Sequence, residues 1–269
     1  MEKIMTKTLV IGDPHSSPDS SNDRFVALGK LILDIKPDVV VQIGDFLNLD
    51  SISFHERGNA IFRANHPLSS DIAAGKDAYN KMMTPIREYN KKKAAQHKKL
   101  YTPRLLWHIG NHEDRVVRYL LDKPEFVGMF PDVSMVGVEA DGWEIIPYKY
   151  YSYVKGVAFT HVPMNKRENQ PLRGEYVAKK VLEGQTQTTV FGHTHRLLVH
   201  DMSRHSENGK QLIQAINVGW FGDYDPHYVK GNEDSLDWWS GVVILDHLDD
   251  NGSVDISTIS MERIKYRYL

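Results

Sequence analysis

The chain contains no cysteine, which excludes disulfide frameworks, zinc-thiolate knuckles, iron-sulfur clusters and thiol catalysis. Any metal it binds must therefore sit on His, Asp, Glu or Asn. An excess of either charge is also missing. Lys and Arg number 33 against 35 Asp and Glu, a formal net charge of -2, so no global field advertises a nucleic-acid or membrane partner. No uninterrupted apolar stretch approaches the ~20 residues that a membrane-spanning helix needs. The first ten residues, Met1 to Val10, have neither a long apolar run nor a small-residue cleavage site. They do not read as a secretory signal, and a cytoplasmic location is expected. The sequon Asn251-Gly252-Ser253 then reads as a turn. Internal repeats, heptads and low-complexity tracts are absent as well.

What is present is 269 residues, 41% hydrophobic and 25% charged, long enough to bury a real core and ordinary for a globular protein. The first unit reads Thr8-Leu9-Val10-Ile11-Gly12-Asp13, then a Ser/Asn/Asp-rich loop, then Phe25, Leu28, Ile32 and Ile35 at helical spacing. A second apolar run, Val39 to Ile43, follows Pro37 and ends on Gly44-Asp45, completing a strand-helix-strand unit with a parallel strand pair. Residues 51–103 are polar, helix-prone and punctuated by Pro67, Pro85 and Pro103, so they are expected to form a mainly helical insertion. Strand-like runs resume at 104–110, 157–160, 188–192, 212–218 and 242–246, with helical patterns after Asn111 and over roughly 173–183. Mixed elements without a composition break predict one α/β domain over 1–269.

The informative feature is what stands at the strand ends. Asp13-Pro14-His15, Gly44-Asp45, Gly110-Asn111-His112-Glu113, Thr160-His161 and Gly192-His193-Thr194-His195 each come directly after an apolar run. In an open α/β sheet the carboxyl ends of strands line one crevice. Taken singly, each motif is an ordinary turn dipeptide or a loop histidine. Five together, in a protein without sulfur ligands, converge too consistently for chance.

As a set, these motifs resemble the full signature of the calcineurin-like metallophosphoesterases, in order from about residue 8 to 219 and including Asn217-Val218-Gly219. The resemblance implies a two-sheet β-sandwich flanked by helices, a four-layer α/β/β/α fold, with two divalent ions between the sheets. Carried over by position, Asp13, His15 and His195 would hold one metal and Asn111, His161 and His193 the other, with Asp45 bridging. His112 would face the scissile bond, stabilising the transition state or protonating the leaving oxygen. The reaction implied is phosphoester hydrolysis by a metal-bridging hydroxide. N and O ligands suit manganese foremost, with iron, zinc or nickel as alternatives. Glu113 or Asp114 could orient His112, although acidic residues also suit the start of the next helix.

The segment Gly44-Asp45-Phe46-Leu47-Asn48-Leu49-Asp50 lacks the arginine that protein phosphatases of this superfamily carry there, and Gly-His-x-His resembles its phosphodiesterase and nuclease branches. A phosphodiester in nucleic acid or a nucleotide is the expected substrate. A phosphomonoesterase and a non-catalytic scaffold on the same fold are the alternatives. Three features bear on substrate binding: Arg115 close behind the third motif; Lys91, Lys92 and Lys93 in a basic stretch from Arg87 to Arg104; and an aromatic run including Trp220, Phe221, Tyr224, Tyr228, Trp238 and Trp239. Each has a plainer reading, as a surface helix arginine, a solvated helix face and a core or subunit contact respectively.

Overall fold

The computed structural model describes residues 5–53, 66–129, 134–165, 168–206, 209–223 and 237–269. The first unit forms as expected: β1 (Thr6–Ile11), α1 (Asp23–Ile35) and β2 (Val39–Gln42), the strands pairing in parallel. Next come α2 (Leu68–Ala95), β3 (Arg104–His108), α3 (Asp114–Asp122), β4 (Glu144–Ile146), β5 (Ser152–Val154) and β6 (Val157–Thr160). A short pair, β7 (Met164–Asn165) and β8 (Gln170–Pro171), precedes α4 (Val177–Gly184), β9 (Thr189–Phe191), β10 (Leu197–Ser206) and β11 (Gly209–Val218). The chain closes with β12 (Gly241–His247), β13 (Val254–Ser260) and α5 (Met261–Tyr268).

Two sheets carry the architecture. One has six strands in the order β13-β12-β1-β2-β3-β4; the other has five in the order β10-β11-β9-β6-β5. Strands β1 to β4 run parallel, while β12 lies antiparallel to β1. In the second sheet β6, β9 and β11 are parallel, flanked by antiparallel β5 and β10.

The two-residue periodicity of a strand sorts the side chains between two cores. Leu9, Ile11, Val40, Leu105 and Trp107 pack with α1, α2 and α5 residues such as Phe25, Leu28, Tyr79, Met82 and Ile264. The alternate residues Val10, Val39, Val41 and Leu106 pack with Val157, Phe159, Val190 and Ile216 of the second sheet. A third, smaller core joins α4 to Phe191, Ile213 and Ala215.

The described part of residues 51–103 is chiefly α2, whose buried residues Tyr79, Met82, Met83 and Ile86 belong to the same core as α1. Pro67 precedes α2 and Pro103 precedes β3, as punctuation requires, but Pro85 lies inside the helix. An interior proline costs ~3 kcal/mol, and this apolar face offsets it. The α1–α2 contact is close: a Cβ on Gly29 would stand 2.2 Å from the Met82 carbonyl oxygen. The helix expected over 173–183 starts later, at Val177, behind a left-handed Gly174.

Register delivers the site. Ile11, Gln42 and Trp107 are cross-strand neighbours in the first sheet, and Thr160, Phe191 and Asn217 in the second. The loops leaving these strands therefore begin on common levels. Among the described residues no helix is long and apolar enough to cross a membrane.

Candidate metal centre

Strand-end loops bring all seven ligand positions named from the sequence into one cluster, buried except at Asn111 and His193, which are partly exposed. His15 Nε2 and His195 Nε2 are 3.0 Å apart, and Asp13 Oδ2 is 3.3 Å from the latter. Asn111 Oδ1 lies 2.9 Å from His161 Nε2 and 2.7 Å from His193 Nδ1. Asp45 Oδ2 sits between the two sets, 3.9 Å from His15 Nε2 and 3.4 Å from His161 Nε2. Three overlapping groups, Asp13/His15/His195, His15/Asp45/His112 and Asp45/His161/His193, have donor atoms close enough to share an ion.

The donor set fits divalent ions. Nitrogens 3.0 Å apart match adjacent ligands about 2.1 Å from a common metal. Asp13 Oδ1 and His161 Nδ1 are buried without hydrogen-bond partners among the described residues, and at 3.6 Å they are too far apart to bond each other. The protonation states suit ligation too. Burial lowers His15 well below its ordinary pKa and His193 to about 4, so both imidazoles are neutral. Burial raises Asp45, but His161 and His112 outweigh it and hold that carboxyl well below its usual range. Burial likewise lowers His161, yet Asp45 and Asp13 override it and push His161 up to about 9. Positive charge is favoured at this point.

The local backbone is specialised for the task. His15 (φ 46°), Asp45 (φ 51°), His193 (φ 73°) and His195 (φ 59°) are all left-handed, a conformation that non-glycine residues adopt only at a cost. Motif glycines make room for neighbouring motifs. A Cβ on Gly44 would lie 2.4 Å from the His161 ring, and one on Gly110 would lie 2.2 Å from the Asp45 nitrogen.

Several supporting residues carry no clear sequence signal. Asn48 Nδ2 donates to Asp50, which turns Asn48 Oδ1 toward His15 Nδ1 at 3.1 Å. This fixes the His15 tautomer and frees Nε2 for ligation. Glu113 neither orients His112 nor merely opens the next helix. It is fully buried and accepts N–H bonds from Asp45 (3.1 Å), Leu47 (2.9 Å) and Gly110 (3.0 Å), tying the second and third motifs together. Burial, with Asp45 nearby, raises its pKa to about 7. Asp114 pairs with Arg118. The buried Arg24 guanidinium donates to Pro14, Ser21 and Phe221 carbonyls and to Asp223, clamping the first motif to the loop after β11.

His112 lies at the edge of the cluster. Its Nδ1–H donates to the Asn48 carbonyl at 2.5 Å, and its Nε2 accepts from Arg115 Nη2 at 3.0 Å. Burial lowers its pKa to about 3; Asp45 opposes the shift and Arg115 adds to it. Arg115 thus reaches the site, while its Nη1 is held by the Asn48 and Leu49 carbonyls.

The other substrate-binding expectations fare differently. Lys91, Lys92 and Lys93 are not at the site. The α2 turn at Gly75 packs on Leu47, but these lysines lie ~25 Å further along the helix at 1.5 Å per residue. There Tyr89 accepts from Lys36, at the opposite end of β2 from Asp45. Trp220 is 6% exposed and stacks on His195 with centroids 5.7 Å apart, backing the imidazole rather than facing solvent. Phe221 is buried with Phe25, and Trp239 packs against the inter-sheet core. Tyr224 and Tyr228 lie outside the described residues. Asn217 Nδ2 donates to Thr194 Oγ1, bracing the tandem-histidine loop.

The chain is 22% identical over 247 residues to the Gene 54 protein of Mycobacterium phage L5, covering 90% of this chain and 89% of that protein. The crystal structure of TT1561 of Thermus thermophilus aligns over 96% of this chain and 99% of that one at 11% identity, with a TM-score of 0.39. The family model for calcineurin-like phosphoesterase matches residues 6–197, spanning every ligand motif. The chain therefore belongs to the calcineurin-like phosphoesterases, a family of metal-dependent phosphoric ester hydrolases.

Proposed function

We propose that the protein is a two-metal phosphodiesterase acting on nucleic acid or a nucleotide. Asp13, His15 and His195 hold one divalent ion, Asn111, His161 and His193 hold the second, and Asp45 is shared. Manganese is the first assignment, and iron, zinc and nickel suit the same donors. When bound, such a pair acidifies a water and draws charge from the phosphoryl oxygens. The same reading takes the two sheets and their flanking helices as the four-layer α/β/β/α arrangement, with 1–269 as a single cytoplasmic domain and 51–103 as an insertion.

The chain's own groups prepare the site. Asn48 orients His15, Glu113 fixes the Asp45 backbone, and Trp220 backs His195. His112 acts at the scissile bond with Arg115 as partner. The guanidinium on Nε2 stabilises charge developing on the phosphoryl group; to serve as the acid instead, that nitrogen, which carries no proton while Nδ1–H is on Asn48, must first take one up from water as Arg115 withdraws.

One observation favours a diester. The arginines of the third motif are already engaged, Arg115 on Asn48, Leu49 and His112 and Arg118 on Asn111 and Asp114. A phosphomonoester bears a second negative charge near neutral pH and would need a second cation beside the Arg115 guanidinium, which the Arg118 contacts do not spare. The test is hydrolysis of bis-p-nitrophenyl phosphate against p-nitrophenyl phosphate with manganese. A kcat/KM higher for the diester is expected. Preference for the monoester would overturn the diester assignment, and activity on neither with two ions bound per chain would make the protein a scaffold.

A further inference from the structure

A cavity of about 570 Å3 adjoins the tandem-histidine loop, lined by Gly174, Glu175, Thr194, Arg196, Asp237 and Trp238. Thr194 separates His193 from His195, so the cavity abuts the loop that carries two proposed ligands. One wall is aromatic. The Trp238 ring meets His195 edge-on at 4.2 Å and Trp220 at 4.9 Å. The backbone fixes it as well: Trp239 N–H donates to the His195 carbonyl, and Trp220 N–H donates to the Trp239 carbonyl, both at 3.0 Å. Trp238 is half-buried and lines the cavity, whereas Trp220 is buried behind His195.

The charges around the cavity decide what suits it. Two carboxylates, Glu175 and Asp237, line the cavity with a single guanidinium, Arg196, whose Nη2 is 2.9 Å from Asp237. This balance opposes a second phosphate and favours a neutral planar group rich in N–H donors. The volume lies in the range of small-ligand sites and accommodates a nucleoside. Rigid aromatic side chains bind bases by stacking, and carboxylates accept from their amino and imino groups.

We propose that this cavity is the nucleobase subsite of the phosphoester centre, with the base stacked on Trp238 and its N–H groups served by Glu175 and Asp237. The assignment rests on the nucleotide or nucleic-acid reading and selects the base as the group recognised. It places specificity beside His195 and away from the α2 lysines.

The test is calorimetric titration of the full chain, stripped of metal by chelator, with guanosine 5′-monophosphate and with ribose 5-phosphate, which differ only by the base. The nucleotide is expected to bind about 5- to 150-fold more tightly, the range given by base–aromatic stacking. Trp238→Ala should erase the difference, while Trp238→Phe should keep most of it. Glu175 is exposed, and Glu175→Gln should weaken the nucleotide about fivefold or more without affecting ribose 5-phosphate. Equal binding of the two ligands, no nucleotide binding at millimolar concentration, or a preference that survives Trp238→Ala in a folded variant overturns the subsite. No turnover occurs in this assay. Failure of the chromogenic ester assay would therefore refute the catalytic reading separately and leave the base preference measurable.

Discussion

Replacing Glu113 with glutamine tests how far the ligand cluster depends on a residue that touches no ion. One carboxylate oxygen accepts from Leu47, and the other from both Asp45 and Gly110. An amide retains only one acceptor. If it serves Asp45 and Gly110, its NH2 faces the Leu47 N–H and that buried donor is unsatisfied, which costs about 1–3 kcal/mol. The two surviving bonds lose their charge assistance, worth roughly half their strength. Together, above the Glu113 pKa of about 7 where the carboxylate is ionised, Glu113→Gln should lower unfolding stability by about 2–4 kcal/mol, measured from urea midpoints at constant slope. The Asp45 carboxylate hangs from the same strut, so metal affinity should fall about 10- to 100-fold, as outer-shell substitutions typically produce. Calorimetric titration with manganese reads that loss on the folded variant. Unchanged midpoint and unchanged affinity together would refute the strut.

Asp45→Asn should weaken both ions and abolish turnover, whereas His112→Ala should keep two ions per chain by plasma mass spectrometry and reduce kcat by about 10²–10⁴-fold. Loss of an ion from the latter would make His112 a ligand. Arg24→Met strands buried Pro14 and Phe221 carbonyls and should cost about 2–4 kcal/mol; a denaturation midpoint equal to that of the parent would show the clamp to be dispensable. Asp141 binds Arg87 and Tyr79, and its carboxyl pKa is lowered chiefly by Arg87. A depressed folded-state pKa stabilises above the unfolded value of 3.8 and ceases to as pH falls through the folded value. Asp141→Asn should therefore cost about 1 kcal/mol at pH 7, discounted because Arg87 is partly exposed, and progressively less as pH falls below 3.8; a pH-independent difference would disprove the linkage. Changing Lys91, Lys92 and Lys93 to alanine should weaken only duplexes longer than about seven base pairs, since ~25 Å separates them from the α2 turn near the site and duplex rise is ~3.4 Å. Weakened binding of mononucleotides would contradict that geometry.

The strand-end motifs are legible because a buried parallel strand advertises itself as an apolar run, and the residues directly after that run must lie at the sheet edge. That logic brings Asp13, Asp45, Asn111, His161, His193 and His195 together without knowledge of which sheet each strand joins. It does not find β10 or β13, whose exposed polar positions blur the pattern, nor place β12 antiparallel beside β1, which register across the fold decides. Glu113 is misread from the sequence because its partners, the Asp45 and Leu47 amides, lie far away along the chain and amides leave no trace in residue identity. Asn48 and Arg24 escape for the same reason. The lysine run is visible, but a charged helix face says nothing about which end of a 28-residue helix meets the site.

Four of the proposed ligands, His15, Asp45, His193 and His195, adopt left-handed backbone, and each such position typically costs about 1–3 kcal/mol. That cost is carried by the scaffold during folding and is already met before any cation arrives. Stability and ion capture are therefore opposed at these four places: glycine would relax the chain there but would delete a donor. Thermal hardening by mutation has to come from elsewhere, such as the apolar seam between the sheets, where added stability leaves the chelate intact.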